Sequence, residues 1–200
     1  MPTETITIAT DAGHDLHGSL ELPTGLVRGA ALFAHCFTCT KQSKAAMSVA
    51  RALAKEGVAC LRFDFTGLGG SGGEFGRAGF ATDVADLVAA GEELLDRFAQ
   101  PILMVGHSLG GAAVLAAADD LGFDKIAAIA TIGGTHVEQP KLGITRRCNR
   151  VEGEVAAVVV AKGLFEPDQL TWRAAIVGRG LRILSGPLEQ DRVVRVTVTA

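Results

Sequence analysis

Short apolar runs alternate along the first two thirds of the chain with segments that repeat apolar residues at helical spacing. The runs contain few polar side chains, as expected of strands that are covered on both faces. Strands that alternate with helices in this way form a mostly parallel sheet with helices on both faces, so we predict an α/β fold. The runs are GAALFA (29–34), VACLRF (58–63), ILMV (102–105) and IAAIATI (126–132).

The segments between these runs carry signals for helix ends and for an edge hairpin. The first helix is expected to close at Gly57, because glycine commonly follows the last turn of a helix. The second is expected to begin at Thr82, a side chain that can cap a helix N-terminus, and the third is an Ala-rich segment over 108–118. Alternating apolar residues in 5–8 and 16–22 predict a hairpin at the edge of the sheet.

Length and charge bound the class of protein. A chain of 200 residues with 48% hydrophobic residues suits one globular domain, and a net charge of −3 argues against a protein that neutralises nucleic-acid phosphates. The charge is uneven, with −7 in residues 1–140 and +4 in residues 141–200. We therefore predict a folded core over 1–140, and in 141–200 an incomplete or atypical C-terminal part of the same domain, or an unrelated tail.

The start of the chain lacks a basic segment followed by an apolar stretch, so no secretory signal is predicted and a cytoplasmic location is expected. The most apolar stretch, 101–118, is interrupted by His107, Ser108 and three glycines, so no membrane span is predicted. Four cysteines without a secretory signal favour reduced thiols over a disulfide framework. Cys36 and Cys39, which form a C-x-x-C motif, are accordingly expected to be free thiols. No second C-x-x-C is present to complete a zinc site, and no metal is expected.

The motif G-x-S-x-G spans residues 106–110, between a buried strand and the Ala-rich helix. In this context the pattern is typical of a nucleophile elbow, a turn so sharp that Gly106 and Gly110 have no room for a side chain. Ser108 would stand at the tip of the turn with its hydroxyl exposed, and we predict that it is a catalytic nucleophile. The start of the following helix would direct backbone N–H groups at a developing oxyanion.

Two further motifs follow neighbouring strands. His35-Cys36-Phe37 follows the GAALFA run, and the N–H of Phe37 is expected to form half of an oxyanion hole, with the N–H of Leu109 as the other half. His35 is expected to hold this loop through its ring nitrogens and not to act in catalysis. Asp64 begins a D-x-x-G-x-G-x-S turn after the next strand, and this turn is expected to shape the floor of the pocket.

The order H-x-F, D-x-x-G-x-G-x-S, G-x-S-x-G over three strand ends resembles the α/β-hydrolase family. The strings HCFTCTK, LRFDFTGLGGSGG and GHSLGGAA are similar to the hydrolase portion of proteins in which this domain precedes an OsmC-like domain. The resemblance covers about residues 15–135. It implies a serine nucleophile, oxyanion donors at Phe37 and Leu109, no cofactor, and a small-molecule substrate of ester or amide type.

The chain departs from this family where the rest of a catalytic triad is expected. In the family the acid and then the histidine follow the nucleophile along the chain. Only His136 follows Ser108, and it lies too early for the usual position; Asp168 and Asp191 match no motif. We therefore predict a serine hydrolase of weak activity, with an inactive hydrolase fold that serves as a binding module as the main alternative.

Two other functions are less well supported by the residues. The C-x-x-C motif has the spacing of a thioredoxin-like dithiol, but that architecture does not use a second strand–turn–helix with G-x-S-x-G. Residues 67–72 match the dinucleotide pattern G-x-G-x-x-G, but further glycines prolong the loop where a helix should open.

Overall fold

The computed structural model describes residues 1–132 and four strands beyond them. Three α-helices and ten strands are seen in these residues, with short 3₁₀ turns at Phe75–Arg77 and Phe123–Lys125. Their order is β1 (Thr3–Ala9), β2 (Asp15–Glu21), β3 (Gly29–Ala34), α1 (Lys44–Lys55), β4 (Val58–Phe63), α2 (Phe80–Phe98), β5 (Ile102–His107), α3 (Leu109–Leu121), β6 (Ile126–Ile132), β7 (Ala156–Ala157), β8 (Trp172–Val177), β9 (Gly180–Ser185) and β10 (Arg192–Thr197).

The main sheet has seven strands in the order β1-β2-β4-β3-β5-β6-β7. Its four central strands, β4, β3, β5 and β6, are parallel to one another. Antiparallel pairs flank them, with the predicted β1–β2 hairpin on one side and β7 on the other. Strands β8, β9 and β10 form a separate antiparallel sheet. The predicted α/β class and the edge hairpin are confirmed, whereas the predicted domain boundary at residue 140 lies outside the described residues.

Alternate residues of the central strands enter two apolar cores, one on each face of the main sheet. Helix α1 packs on one face, where it meets residues such as Phe33 and Val105. Helices α2 and α3 pack on the other face, against Leu32, Leu61 and Met104. A strand buried on both faces needs apolar residues at nearly every position, which explains why the runs read as continuous in the sequence.

One strand departs from regular alternation. Between β5 and β6 the register shifts, so that Ile102 pairs with Ile126 but Leu103 pairs with Ala128. The residue between these two partners, Ala127, is an extra residue in β6 and forms a β-bulge. As a result Ile126 and Ile129, three positions apart, both face α2 and α3.

The ends of two helices illustrate how local chemistry sets the boundaries. Helix α1 ends as predicted, with Gly57 in a left-handed conformation (φ 87°) directly after the last residues of the helix. Helix α2 begins earlier than predicted, because Gly79 and not Thr82 is its N-cap. The Thr82 hydroxyl instead lies in the first turn and accepts a hydrogen bond from the Gly79 N–H (3.3 Å).

The carboxyl ends of β3, β4 and β5 are neighbours in the sheet. Ala34 pairs with Gly106, and Phe33 pairs with Arg62, so the loops that follow these three strands meet at one edge. Ligands of open α/β sheets bind at this edge. Within the residues that the structure describes, no helix is both long enough and apolar enough to cross a membrane.

Candidate active site

Ser108 lies at the turn between β5 and α3. Its backbone has φ 53° and ψ −115°, a conformation that is unfavourable for a residue with a side chain and costs about 1–3 kcal/mol. The turn is held by two backbone hydrogen bonds, from the Ser108 N–H to the Ile132 carbonyl (2.8 Å) and from the Gly111 N–H to the Ser108 carbonyl (2.9 Å). The side chain of Ser108 is partly exposed.

The two glycines of the motif are required by close backbone contacts. A Cβ on Gly106 would lie closer than 3.0 Å to backbone atoms of Gly110 and Gly111. A Cβ on Gly110 would come equally close to the carbonyl groups of Ala34 and His35. The first turn of α3 therefore packs directly against the end of β3, which no residue larger than glycine would allow.

This packing places the end of β3 and the start of the loop that carries Phe37 against the first turn of α3, which begins at Leu109. Leu109 is the first residue of α3, and the N–H groups of a first helical turn have no partner within the helix. Phe37 lies two residues beyond His35, whose carbonyl is in contact with α3. Among residues 1–132, neither the Phe37 N–H nor the Leu109 N–H has a hydrogen-bond partner. That the two groups form an oxyanion hole stays a prediction.

His35 is buried and joins two of the loops. Its Nδ1 donates to the Cys36 carbonyl (2.8 Å), and its Nε2 accepts from the Phe65 N–H (3.5 Å). The ring also packs edge-on against the ring of Phe65, with centroids 4.8 Å apart. Burial lowers the pKa of His35, so the imidazole is neutral, as these two bonds require. Because both nitrogens are engaged, His35 is not free to take a proton from Ser108.

Asp64 is the centre of a buried polar cluster beneath the same loops. Its carboxylate accepts hydrogen bonds from the N–H of Lys41 (2.6 Å) and the N–H of Gly70 (2.9 Å), and it forms an ion pair with the Lys41 ammonium. Burial raises the pKa of Asp64, but the hydrogen bonds and the charge of Lys41 outweigh this effect and hold it below its usual range. Asp64 therefore ties the loop after β3 to the turn after β4.

A second buried ion pair, which the sequence did not reveal, supports the same loop. Arg62 donates from Nη1 to the Lys41 carbonyl (2.8 Å) and from Nη2 to Glu21 (2.6 Å). Burial raises the pKa of Glu21, but hydrogen bonds from Thr3 and Arg62 keep it below its usual value. The one signal in the sequence was the presence of an arginine in an otherwise apolar strand.

Cys36 and Cys39 form a disulfide, so the prediction that they are free thiols is wrong. The two residues end a tight turn in which the Cys39 N–H donates to the Cys36 carbonyl (3.1 Å). This turn brings their Cα atoms to 5.4 Å, a separation that disulfides span. The prediction rested on the expected compartment and took no account of this local geometry. Cys60 is a free, buried thiol.

The turn after β4 carries a third polar connection, to α2. Asp86 accepts from the N–H and the hydroxyl of Thr66 (2.7 and 2.9 Å), and the Thr66 hydroxyl also contacts His14 Nε2 (2.8 Å). Burial and the nearby charge of Asp86 raise the pKa of Asp83 to about 6.

Helix α2 begins only at Phe80, well beyond residues 67–72, which match the dinucleotide pattern. This argues against nicotinamide binding at that loop.

In the part of the chain that the structure describes, no side chain is hydrogen-bonded to Ser108 as a general base would be. None of its histidines is hydrogen-bonded to the Ser108 hydroxyl; burial lowers the pKa of the adjacent His107. His136, Asp168 and Asp191 lie outside the described residues. In the described residues, no cluster of His, Cys, Asp and Glu is placed to hold a metal ion.

The sequence profile of the alpha/beta hydrolase family matches residues 26–197. The chain belongs to the α/β hydrolase family. The match continues well past residue 135, the end of the segment over which the sequence motifs resemble the family. The predicted C-terminal limit of the family resemblance was therefore placed too early. The similarity to hydrolases with a fused OsmC-like domain stays a prediction. No curated protein gives a significant sequence match.

Solved structures of α/β hydrolases resemble this chain in fold. Est1E from Butyrivibrio proteoclasticus, solved with ferulic acid bound, is 29% identical with a TM-score of 0.58, over 62% of this chain and 50% of Est1E. XC6422 from Xanthomonas campestris, a serine hydrolase without a lid, is 23% identical (TM-score 0.59; 66% and 62% covered). The Pyrococcus furiosus esterase Pf2001 is 23% identical (0.56; 64% and 47%). This α/β hydrolase chain thus spans only about half to three fifths of their length.

Proposed function

We propose that this α/β hydrolase cleaves esters of small molecules through Ser108. The observation that carries the proposal is the backbone of Ser108, held at positive φ between a buried strand and a helix by glycines that nothing larger could replace. Backbone strain of this kind at a strand end is characteristic of functional residues. An esterase and a structure with bound ferulic acid among the structural neighbours support ester chemistry.

In the proposed reaction the Ser108 hydroxyl attacks the carbonyl carbon of the ester. The carbonyl oxygen takes up negative charge and accepts hydrogen bonds from the N–H groups of Phe37 and Leu109. The C–O bond to the alcohol breaks, and the alcohol leaves with the proton that Ser108 has lost. Water then attacks the acyl-serine, which releases the acid and returns a proton to Ser108. The positive end of helix α3 favours the charge that develops in both steps.

The rate of hydrolysis that we expect is limited by removal of the hydroxyl proton of Ser108. A serine hydroxyl needs a base to become a good nucleophile, and none of the described residues is hydrogen-bonded to the hydroxyl of Ser108. Hydrolases that lose the base retain acceleration on the order of 10³ to 10⁴ from the oxyanion hole and from binding. We therefore propose slow turnover of activated esters.

Two phenylalanine rings favour substrates with an apolar acyl group. Phe37 is 62% exposed and Phe75 39% exposed, and their ring centroids lie 5.8 Å apart. Since the backbone of Phe37 is assigned to the oxyanion hole, its ring adjoins the proposed site. Apolar surface beside a reactive serine binds the hydrocarbon part of an ester better than a charged group. The small-molecule substrate and the cytoplasmic location stay predictions from the sequence.

Hydrolysis of p-nitrophenyl butyrate by matched serine variants tests the proposal. Ser108→Ala is expected to lower kcat and to abolish the burst of p-nitrophenol that formation of an acyl-serine gives, while Ser48→Ala, a partly buried serine on helix α1, is expected to retain both. A fluorophosphonate probe should label Ser108 alone, as located by peptide mass spectrometry. Equal rates for the wild type and Ser108→Ala, with no label on Ser108, would favour the alternative of an inactive hydrolase fold that binds ligands.

A further inference from the structure

The Cys36–Cys39 disulfide encloses the residue whose N–H is assigned to the oxyanion hole. Only Phe37 and Thr38 lie between the two cysteines, and both are exposed. The cysteines themselves are partly exposed. A soluble thiol can therefore reach this bond, whereas the third described cysteine, Cys60, lies fully buried between the sheet and α1.

The turn inside the disulfide holds an unfavourable backbone conformation. Thr38 has φ 55°, in the left-handed region that glycine and asparagine tolerate and that β-branched residues rarely adopt. Within the turn, the disulfide and the hydrogen bond from the Cys39 N–H to the Cys36 carbonyl keep the chain in this shape. Without the covalent link, Thr38 is free to return to negative φ, and the adjoining peptide groups would move with it.

The segments on either side of this turn cannot follow that movement. His35 is anchored by both ring nitrogens, and Lys41 is anchored through its N–H, its carbonyl and its ammonium group. Both anchoring side chains are buried, and the bond from His35 Nδ1 is made to the Cys36 carbonyl, at the start of the turn. Rearrangement is therefore confined to residues 36–40. The Phe37 N–H belongs to the peptide group whose carbonyl His35 holds, so its displacement also requires the bond from His35 to shift. The rest of the site keeps its geometry.

We propose that the Cys36–Cys39 pair is a site of reversible thiol–disulfide exchange that regulates the hydrolase by placing or displacing the Phe37 N–H. This inference rests on the proposed function of Ser108. The reductant is a dithiol. One of its thiolates attacks a sulfur of the pair, the S–S bond breaks, and a mixed disulfide forms. The second thiolate of the reductant then attacks the mixed disulfide and releases the cysteine that is still bound. Two electrons and, at neutral pH, two protons reach Cys36 and Cys39, and the reductant becomes a disulfide.

The oxidised protein is the faster hydrolase. In the oxidised state the turn holds the Phe37 N–H in the position assigned to it in the oxyanion hole, while in the reduced state the hole depends mainly on Leu109. Removal of one oxyanion donor costs about 10² to 10³ in kcat, and a donor that is displaced for part of the time costs less. We expect kcat of the reduced protein to be about tenfold lower, with KM changed less than about twofold.

The experiment compares the full chain before and after treatment with dithiothreitol. The reductant is removed by gel filtration without oxygen, because free thiols themselves cleave p-nitrophenyl esters, and kcat and KM for p-nitrophenyl butyrate are then measured. Alkylation and peptide mass spectrometry should show that Cys36 and Cys39 become thiols. The variant Cys36→Ser/Cys39→Ser should have the kcat of the reduced wild type, and dithiothreitol should not change it. The control Cys148→Ser should respond like the wild type.

The outcomes separate this inference from the proposed function. If Ser108→Ala loses activity but the oxidised and reduced proteins have equal kcat, the regulation is refuted and the serine hydrolase stands. If Ser108→Ala retains full activity, both fail. Free thiols at Cys36 and Cys39 after treatment with the thiol oxidant diamide would also overturn the inference. Should the double variant not fold, as judged by circular dichroism, the reduced wild type still gives the deciding rate.

Discussion

Replacement of Asp64 by asparagine should strongly destabilise the protein. The carboxylate of Asp64 accepts two backbone N–H groups and faces the ammonium group of Lys41, which is only 5% exposed. In Asp64→Asn the amide NH₂ group would face a donor, and the charge of Lys41 would remain buried without a counter-ion. Loss of one partner from a buried ion pair costs about 3–5 kcal/mol.

This cost is large compared with the stability of an ordinary domain. Free energies of unfolding are about 5–15 kcal/mol, so the variant should fold but with a reduced margin. For a chain of this size, Tm falls by about 2–4 °C per kcal/mol, which predicts a decrease of roughly 6–20 °C. Urea unfolding followed by far-UV circular dichroism would measure the change in free energy.

An exposed ion pair provides the matched control. Arg97 contacts Glu4 at 2.5 Å, but the two side chains are 35% and 43% exposed. Glu4→Gln should therefore cost less than about 1 kcal/mol. The effect of Asp64→Asn should also depend on pH. Because the pKa of Asp64 is lower in the folded protein than in the unfolded chain, its contribution is complete above about pH 4 and decreases below it.

Two outcomes would show that this reasoning is wrong. A variant Asp64→Asn within 1 kcal/mol of the wild type at pH 7 would mean that Lys41 rehydrates easily, and that the loop after β3 is not anchored there. A difference between the two proteins that grows as the pH falls below 4 would contradict the lowered pKa of Asp64.

Two further substitutions test other parts of the site. Gly110→Ala should abolish measurable hydrolysis and lower the free energy of unfolding by at least about 2 kcal/mol, because the new Cβ would collide with the carbonyl groups at the end of β3. The control Gly25→Ala, whose Cβ meets nothing within 4 Å, should leave both the rate and the free energy of unfolding unchanged. Asp83→Asn should stabilise the protein by about 1 kcal/mol at pH 8 and have almost no effect at pH 4. The carboxyl of Asp83 is partly buried beside Asp86 and has a pKa of about 6, so its ionisation disfavours the folded state only at higher pH. Chemical unfolding at both pH values measures the difference, and destabilisation at pH 8 would refute this prediction.

The central strands were predictable because their burial on two faces leaves a direct trace in the residue types. The run GAALFA predicts a strand without any information on the adjoining segments, and β3 has the same bounds as this run. The start of α2 was not predictable in the same way. Gly79 offers no side chain to recognise as a cap, so Thr82, a good capping residue two positions inside the helix, was mistaken for it.

In the site, sequence motifs predicted backbone geometry better than side-chain pairing. The turn at Ser108 follows from G-x-S-x-G because the glycines determine which backbone paths are possible. Lys41 and Arg62 were missed, since charged residues are normally assumed to be solvated and their partners are 23 and 41 residues away in the chain. The state of Cys36 and Cys39 depended on a turn that the compartment argument could not describe.

The β-bulge at Ala127 has a consequence for comparing this chain with its relatives. An extra residue in a buried strand normally turns every following side chain to the opposite face, but here the bulge absorbs it, and residues 128–130 stay in phase with their partners on β5. A relative without the bulge would lack one residue inside the strand. The correct gap in an alignment then falls at position 127 and not in a nearby loop, which is where gaps are usually placed. An alignment that shifted the gap beyond the end of β6 would match Ile129, which faces α2 and α3, with a residue that faces α1.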